Sequence, residues 1–148
     1  MSDKTETVRL VQKADYQFDN QFGAAVPPLV SDEPPPLGRG EGPSPVQLLA
    51  AAVGNCLAAS LLFALRKFKQ QPEPIGAEVS AEVGRNDAGR LRVLKMTARL
   101  NLGVPAASLQ HLDRVLASFE AFCTVTESVR AGIPVEVQVF DAQGQRLK

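Results

Sequence analysis

The residues of this chain with an obvious joint reaction are two thiols, Cys56 and Cys123, the only cysteines in 148 residues. A redox pair of this kind needs one thiolate facing a small apolar cleft, a second thiol to resolve the sulfenic acid, and a route for a reductant. Cys56 falls about three turns into a helix that starts at Pro45, too far for the N-terminal dipole to activate it. A reactive thiolate there calls for a cation from elsewhere in the fold, such as Arg39 or Arg9. Cys123 directly precedes Thr124, read as the cap of a short helix whose N–H end would stabilise a thiolate modestly. Free cysteine is also among the most buried residue types, so two inert core thiols are the plain alternative. The residues alone leave both readings open.

The element that must position Cys56 is the stretch SPVQLLAAAVGNCLAASLLFALRKFK, residues 44–69. Ser44 at the cap, Pro45 at the first helical position and Gln47 at the third form a helix start in which Gln47 reaches back to the cap. No charge appears from Val46 to Leu65. Arg66, Lys67 and Lys69 then suit a helix C-terminus, and Pro72 and Pro74 stop it. The run is near the length of a membrane span, but its alanines and the polar Gln47, Asn55 and Ser60 favour a buried core helix, apolar nearly all round, in a protein that does not enter a membrane.

Around this helix the alternation predicts strands at 7–12, 15–22 and Leu29–Glu33, then a Pro-Gly connector through PPPLGRG that is neither helix nor central strand. A hairpin follows, with Ala77, Val79, Ala81 and Val83 facing inward opposite Leu94, Met96, Ala98, Leu100 and Leu102, turning at Asn86–Gly89. Residues 106–121 read as a second helix, apolar along Leu109, Leu112, Val115, Leu116 and Phe119, with His111, the only histidine, on its polar side. Thr124-Val125-Thr126-Glu127 has a capping-box pattern, Gly132 a stop, and Ile133 to Val139 a last strand. The order β-β-β-α-β-β-α-α-β is α+β, with the long helix packed on an antiparallel sheet. A chain of this length is read as one domain, residues 1–148.

Sixteen basic residues balance sixteen acidic ones, and the basic patch that nucleic-acid binding requires is missing. Two cysteines and one histidine are too few for an ordinary zinc site, so no metal is expected. MSDKTETVRL has no signal-like apolar core, which points to the cytoplasm, where two cysteines are free or redox-active more often than structural.

GPSPVQLLAAAVGNCLAASLLFAL resembles the OsmC/Ohr family, in which a Pro-x-Glu-Leu-Leu-like start leads to a cysteine inside a buried central helix. FCTVTESVRAGIPVEV, residues 122–137, is similar to the family's second cysteine, short helix, glycine and Val-rich last strand. DEPPPLGRGEGPSP is similar to members of the OsmC-like branch. The resemblance implies an intertwined homodimer with each cysteine pair near the subunit interface, reducing organic hydroperoxides in oxidative-stress defence. Carried over by position, Cys56 attacks the peroxide, Cys123 closes a disulfide, and a dithiol reductant reopens it without bound cofactor. The family also uses a Glu near the helix start to hold an Arg from the N-terminal strands. Val46 and Gln47 occupy the candidate positions here, and no arginine lies between Arg9 and Arg39. Gln47 and Arg39 are therefore the remaining candidates for thiolate positioning, with Glu41 or Glu33 as the partner of Arg39. The missing acid keeps a second function in view: a binding module whose cleft at Cys56 holds a small hydrophobic ligand or electrophile without turnover.

Overall fold

The computed structural model describes residues 3–148. Its elements follow the expected order: β1 (Arg9–Ala14), β2 (Gln17–Gln21), β3 (Leu29–Ser31), α1 (Pro45–Lys67), β4 (Gly76–Arg85), β5 (Leu91–Asn101), α2 (Leu112–Ser118), α3 (Thr124–Arg130) and β6 (Val135–Phe140). The chain forms two compact units that meet in sequence within the first turn of α1, between Leu48 and Leu49.

The first unit is an antiparallel sheet in the order β1-β2-β3. β3 is shorter than its sequence pattern, ending at Ser31 because the next residue leaves the ladder: the Asp32 amide donates to the carbonyl of Pro43 at 3.1 Å. The Asp32 side chain, only 2% exposed, then gathers the Pro-Gly connector. Its oxygens accept from the backbone amides of Glu33 (2.8 Å), Arg39 (3.2 Å) and Glu41 (3.1 Å), and from the Gln17 side chain at 3.3 Å. Gly38 is part of this clamp, since a Cβ there would stand 2.3 Å from Asp32 Oδ1 and 2.2 Å from the Glu33 carbonyl oxygen. Burial works against the charge of Asp32, but the Glu41 amide, the Gln17 amide and the Glu33 and Arg39 N–H groups outweigh it and hold its pKa below the usual carboxylate value.

The helix start is the reciprocal one the sequence encodes. Gln47 N–H donates to Ser44 Oγ at 3.2 Å, and Ser44 N–H donates to Gln47 Oε1 at 2.9 Å. The stop is not made by the prolines. Lys69 adopts a left-handed conformation (φ 58°), its N–H donates to the carbonyl of Arg66, and the Gln70 N–H donates back to Leu65, which is a Schellman ending.

In the second unit β5 pairs with β4 antiparallel and with β6 parallel, so the expected antiparallel sheet is mixed. Its inner face, with Met96, Ala98, Leu100, Val135, Val137 and Val139, packs into one core with Val53, Leu57, Leu61 and Leu65 of α1. These four helix residues have no exposed surface. Gly54 lets the helix approach β4: a Cβ at that position would stand 2.9 Å from Val79 Cγ2. With a mean hydropathy of 2.1, α1 meets the length and composition of a membrane span, yet its stripe at i, i+4, i+8 and i+12 is core. The burial is one-sided rather than all round, because Phe63 on the opposite face is 67% exposed.

Two further patterns differ from their sequence reading. The β4–β5 register slips at Leu94, so Val93 turns toward the core while Leu94 is 45% exposed and leans over Gly84. The single helix expected over 106–121 is three pieces: a 3-10 turn at Ala106–Ser108, α2, and a second 3-10 turn at Phe119–Phe122. His111 makes the break. It sits just ahead of α2 with φ 59°, exposed, its ring stacked on Phe68 at 4.8 Å. The Leu109 to Phe119 periodicity survives the break because Val115, Leu116 and Phe119 still reach the core.

A dithiol beside an apolar cleft

Cys56 lies on the flank of α1, one residue before the buried Leu57, and is half-buried. The second 3-10 turn delivers Cys123 to the core, where it has no exposed surface. Cys123 is itself the residue that caps α3, so the Thr124 cap read from sequence is displaced by one position, and no side chain caps this helix. Its carbonyl accepts from Glu127 N–H at 3.0 Å, while its thiol donates to Thr126 Oγ1 at 3.0 Å. Thr126 is fully buried, so its hydroxyl is committed to this small polar pair.

The two thiols are neighbours. Burial, and next the hydrogen-bonding Cys56 thiol beside it, push the Cys123 pKa above the ordinary thiol value; the Thr126 hydroxyl and amide pull the other way without reversing it. The helix end does favour a Cys123 thiolate modestly, through the Thr126 amide, but desolvation outweighs it and keeps the thiol's pKa above the ordinary value.

Cys56 opens on a cleft of about 640 Å³ formed by one face of α1, by α2 and by the turn that follows it. The lining is largely apolar: Ala59, Phe63, Ala64, Phe68, Val115 and Phe122, with Ser60 and Ser118 between them. Phe122, next to Cys123 in the chain, is 77% exposed at its edge. The charged residue on the wall is Lys67, whose Nζ lies 5.9 Å from the Phe63 ring centre. The turn and α3 also carry an ionic cluster: Glu120 accepts from Arg130 at 2.7 Å and from Lys148 at 2.5 Å, and Arg130 also pairs with Glu127.

The other two sequence candidates belong to the first unit. Gln47 is exposed and occupied with the helix cap. Arg39 belongs to the first unit, largely exposed, with Asp15 as its carboxylate partner at 3.9 Å. Neither Glu41 nor Glu33 pairs with it; Glu41 accepts from Gln17 at 2.7 Å instead. Sequence reading missed Thr126 as the partner of Cys123 and Lys67 as the charge on the cleft. The Cys-x-x-Thr spacing across a helix start was the available signal for the first. The second was visible only as one of several cations ending α1.

A family model described as OsmC-like protein matches residues 38–138, which include both cysteines. Comparison with curated proteins finds no match. Among solved structures, an OsmC-like protein of unknown function from Vibrio cholerae superposes with a TM-score of 0.78 at 16% identity, over 93% of this chain and 100% of that one. A putative osmotic stress induced and detoxification response protein from Psychrobacter arcticus gives 0.76 at 20% identity, covering 93% and 98%. The organic hydroperoxide resistance protein OhrB of Bacillus subtilis gives 0.70 at 16% identity, covering 92% and 98%.

Proposed function

Because this chain belongs to the OsmC-like protein family, we propose that it is a thiol-dependent peroxidase reducing organic hydroperoxides, with Cys56 as attacking thiol and Cys123 as its resolving partner. The observation that carries the reading is the asymmetry of the pair: one thiol opens on an apolar cleft, and its neighbour is sealed in the core as a protonated thiol. In the first step the Cys56 sulfur attacks the terminal peroxide oxygen. The O–O bond breaks, Cys56 becomes a sulfenic acid, and the departing alkoxide takes a proton to leave as the alcohol. In the second step the Cys123 sulfur attacks the sulfenic sulfur, forming the disulfide and releasing water. A dithiol reductant then returns two electrons and two protons, which suits a reducing, cytoplasmic setting. The organic part of the peroxide enters the cleft, where Phe63 and Phe122 supply apolar contact.

The working form in this proposal is a homodimer in which both units of each chain form one OsmC-like domain. Support comes from the first unit, where Leu10 (56% exposed), Val11 (48%) and Tyr16 (47%) leave a small sheet with more apolar surface than it covers itself. A second copy of the chain is the expected cover. A second reading, ligand binding without turnover, is favoured by one observation: Gln47, at a position where the family carries its acid, is engaged in the helix cap.

The two are separated by treating the reduced protein with one equivalent of cumene hydroperoxide and following intact mass and free thiols. The peroxidase loses about 2 Da as the disulfide closes, Cys123→Ser accumulates a sulfenic acid on Cys56, and Cys56→Ser is inert. Both thiols remaining reduced over minutes would leave the cleft as a binding site only.

A further inference from the structure

Resting on the peroxidase reading, we infer that Lys148 is a positioning residue for the closing step: acting through Glu120, it holds the turn from which Cys123 reaches Cys56. Closure joins two sulfurs carried by separate elements, and the rate of such an intramolecular step depends steeply on their prior orientation. Cys56 is fixed by α1, a continuous helix of 23 residues. Cys123 instead follows the 3-10 turn Phe119–Phe122, whose hydrogen-bond geometry is poorer than that of an α-helix. The side chains that anchor this turn are Phe119, fully buried, and Glu120, 16% exposed.

Glu120 is the node. Its carbonyl accepts from the Cys123 amide at 2.9 Å, which ties its backbone directly to the residue that carries the thiol. One carboxylate oxygen accepts from Arg130 at 2.7 Å, and Arg130, the last residue of α3, also donates to the carbonyl of Val135 at 3.3 Å. The other oxygen accepts from Lys148, which arrives from a different direction. Residues 145–148 run antiparallel beside β6: the Asp141 amide donates to Gln145 at 3.0 Å and the Leu147 amide to Val139 at 2.7 Å. Leu147 packs against the core, so this short segment is a backed support. From it the Lys148 ammonium reaches Glu120 at 2.5 Å and the Leu116 carbonyl at 2.6 Å, and lies 5.3 Å from the centre of the Phe119 ring. Leu116 is in the last turn of α2, where a carbonyl favours a cation. One side chain therefore bridges the end of α2 and the turn that follows it, immediately ahead of Cys123. It acts on the thiol only through that turn.

The test reads closure without peroxide, by stopped-flow reaction of the reduced protein with one equivalent of dithiobis-nitrobenzoate. Cys56 attacks the reagent and expels one coloured thiolate; Cys123 then attacks the Cys56 sulfur of the mixed disulfide and expels the second. The first phase depends on reagent concentration and the second does not, so attack and closure are separated. Lys148→Met keeps the apolar stem on Phe119 and deletes the ammonium. Its second phase is expected to slow about tenfold, the scale for losing one charge-assisted bond that orients a reacting group, with the first phase unchanged. Lys148→Arg should restore it. Lys95→Met breaks another ion pair, with Glu136 at 2.9 Å between β5 and β6, and should leave both phases as they are. A second phase at the wild-type rate in Lys148→Met, or one slowed equally in Lys95→Met, would overturn the inference. Cumene hydroperoxide is then given to the same proteins, where the closing rates should keep the same order. If it oxidises neither thiol while the second phase still slows in Lys148→Met and recovers in Lys148→Arg, the positioning role stands and the peroxidase reading alone has failed.

Discussion

Asp32 and Cys123 are buried acids, one in each compact unit, and the protein treats them in opposite ways. Asp32 is met by three backbone amides and a side-chain amide, all donors, and keeps its charge below the usual carboxylate pKa. Cys123 is met by the Thr126 hydroxyl and amide and by another thiol, and keeps its proton above the usual thiol pKa. Burial opposes the charge at both sites; four donors together outweigh it at Asp32, while at Cys123 the Thr126 hydroxyl and amide do not. A loop clamp must hold an anion at all times. In the proposed cycle Cys123 has no need of charge until the neighbouring sulfur is oxidised, and a neutral waiting state would keep it from competing for peroxide.

Removing the groups outright gives the largest contrast. Asp32→Ala leaves the amides of Glu33, Arg39 and Glu41 without their acceptor in a nearly closed site, and Gly38 without the oxygen it was fitted around. Its melting temperature should fall by several degrees. Cys123→Ala, under reducing conditions, gives up one S–H···O contact and a small volume, and should fall by less. Thermal unfolding of the two variants side by side checks the order; an Asp32→Ala protein as stable as the wild type would show that the connector does not depend on its clamp.

Titration sharpens the same comparison without changing a residue elsewhere. Asp32 has a folded pKa below its unfolded one, so its contribution is present above about pH 4 and is lost as pH falls through the folded pKa. Asp141, which accepts from the amides of Ala106, Gln143 and Gln145, adds to this acid limb in the second unit. Cys123 has a folded pKa above its unfolded one. Its contribution is present below about pH 8.5 and is lost as pH rises from there through the folded value. Denaturant midpoints against pH should thus fall at both ends, and Cys123→Ser should flatten only the alkaline limb. An unchanged alkaline limb in that variant would mean the buried thiol is not what titrates.

What was legible in the sequence follows the range of the interactions. Ser44 and Gln47 find each other within one turn, so their pairing and the helix they start were written locally. Cys56 and Cys123 could be singled out by residue type, but their adjacency depends on how the turn at Phe119–Phe122 enters the core. The Asp32 clamp was invisible because its donors come from a loop whose path no periodicity describes. Gly38, Gly40 and Gly42 were the trace it left. Leu94 and His111 show the other limit: an apolar pattern continues through a bulge or a positive φ that breaks the element beneath it. The parallel β5–β6 pairing was equally out of reach, since alternation fixes a strand's face and not its neighbour.

The finest division of the comparison is within the Cys123 site, between burial and the hydroxyl that opposes it. Thr126→Val keeps the shape of the side chain and deletes the hydroxyl bonded to Cys123 Sγ at 3.0 Å. The expected stability cost is about 1 kcal/mol, the scale of one buried hydrogen bond, and the smallest effect considered. Its effect on titration has a definite sign. Turned to donate once the thiol ionises, the Thr126 hydroxyl lowers the Cys123 pKa, so its loss must move the thiol's ionisation further up, which thiolate ultraviolet absorbance can follow in a Cys56→Ser background. Disulfide closure should slow in parallel at mildly alkaline pH, because less Cys123 thiolate is available to attack the sulfenic sulfur. Closure at the wild-type rate with a raised pKa would instead mean that Cys123 gives up its proton only as it attacks, and that Thr126 is there to hold the thiol's direction.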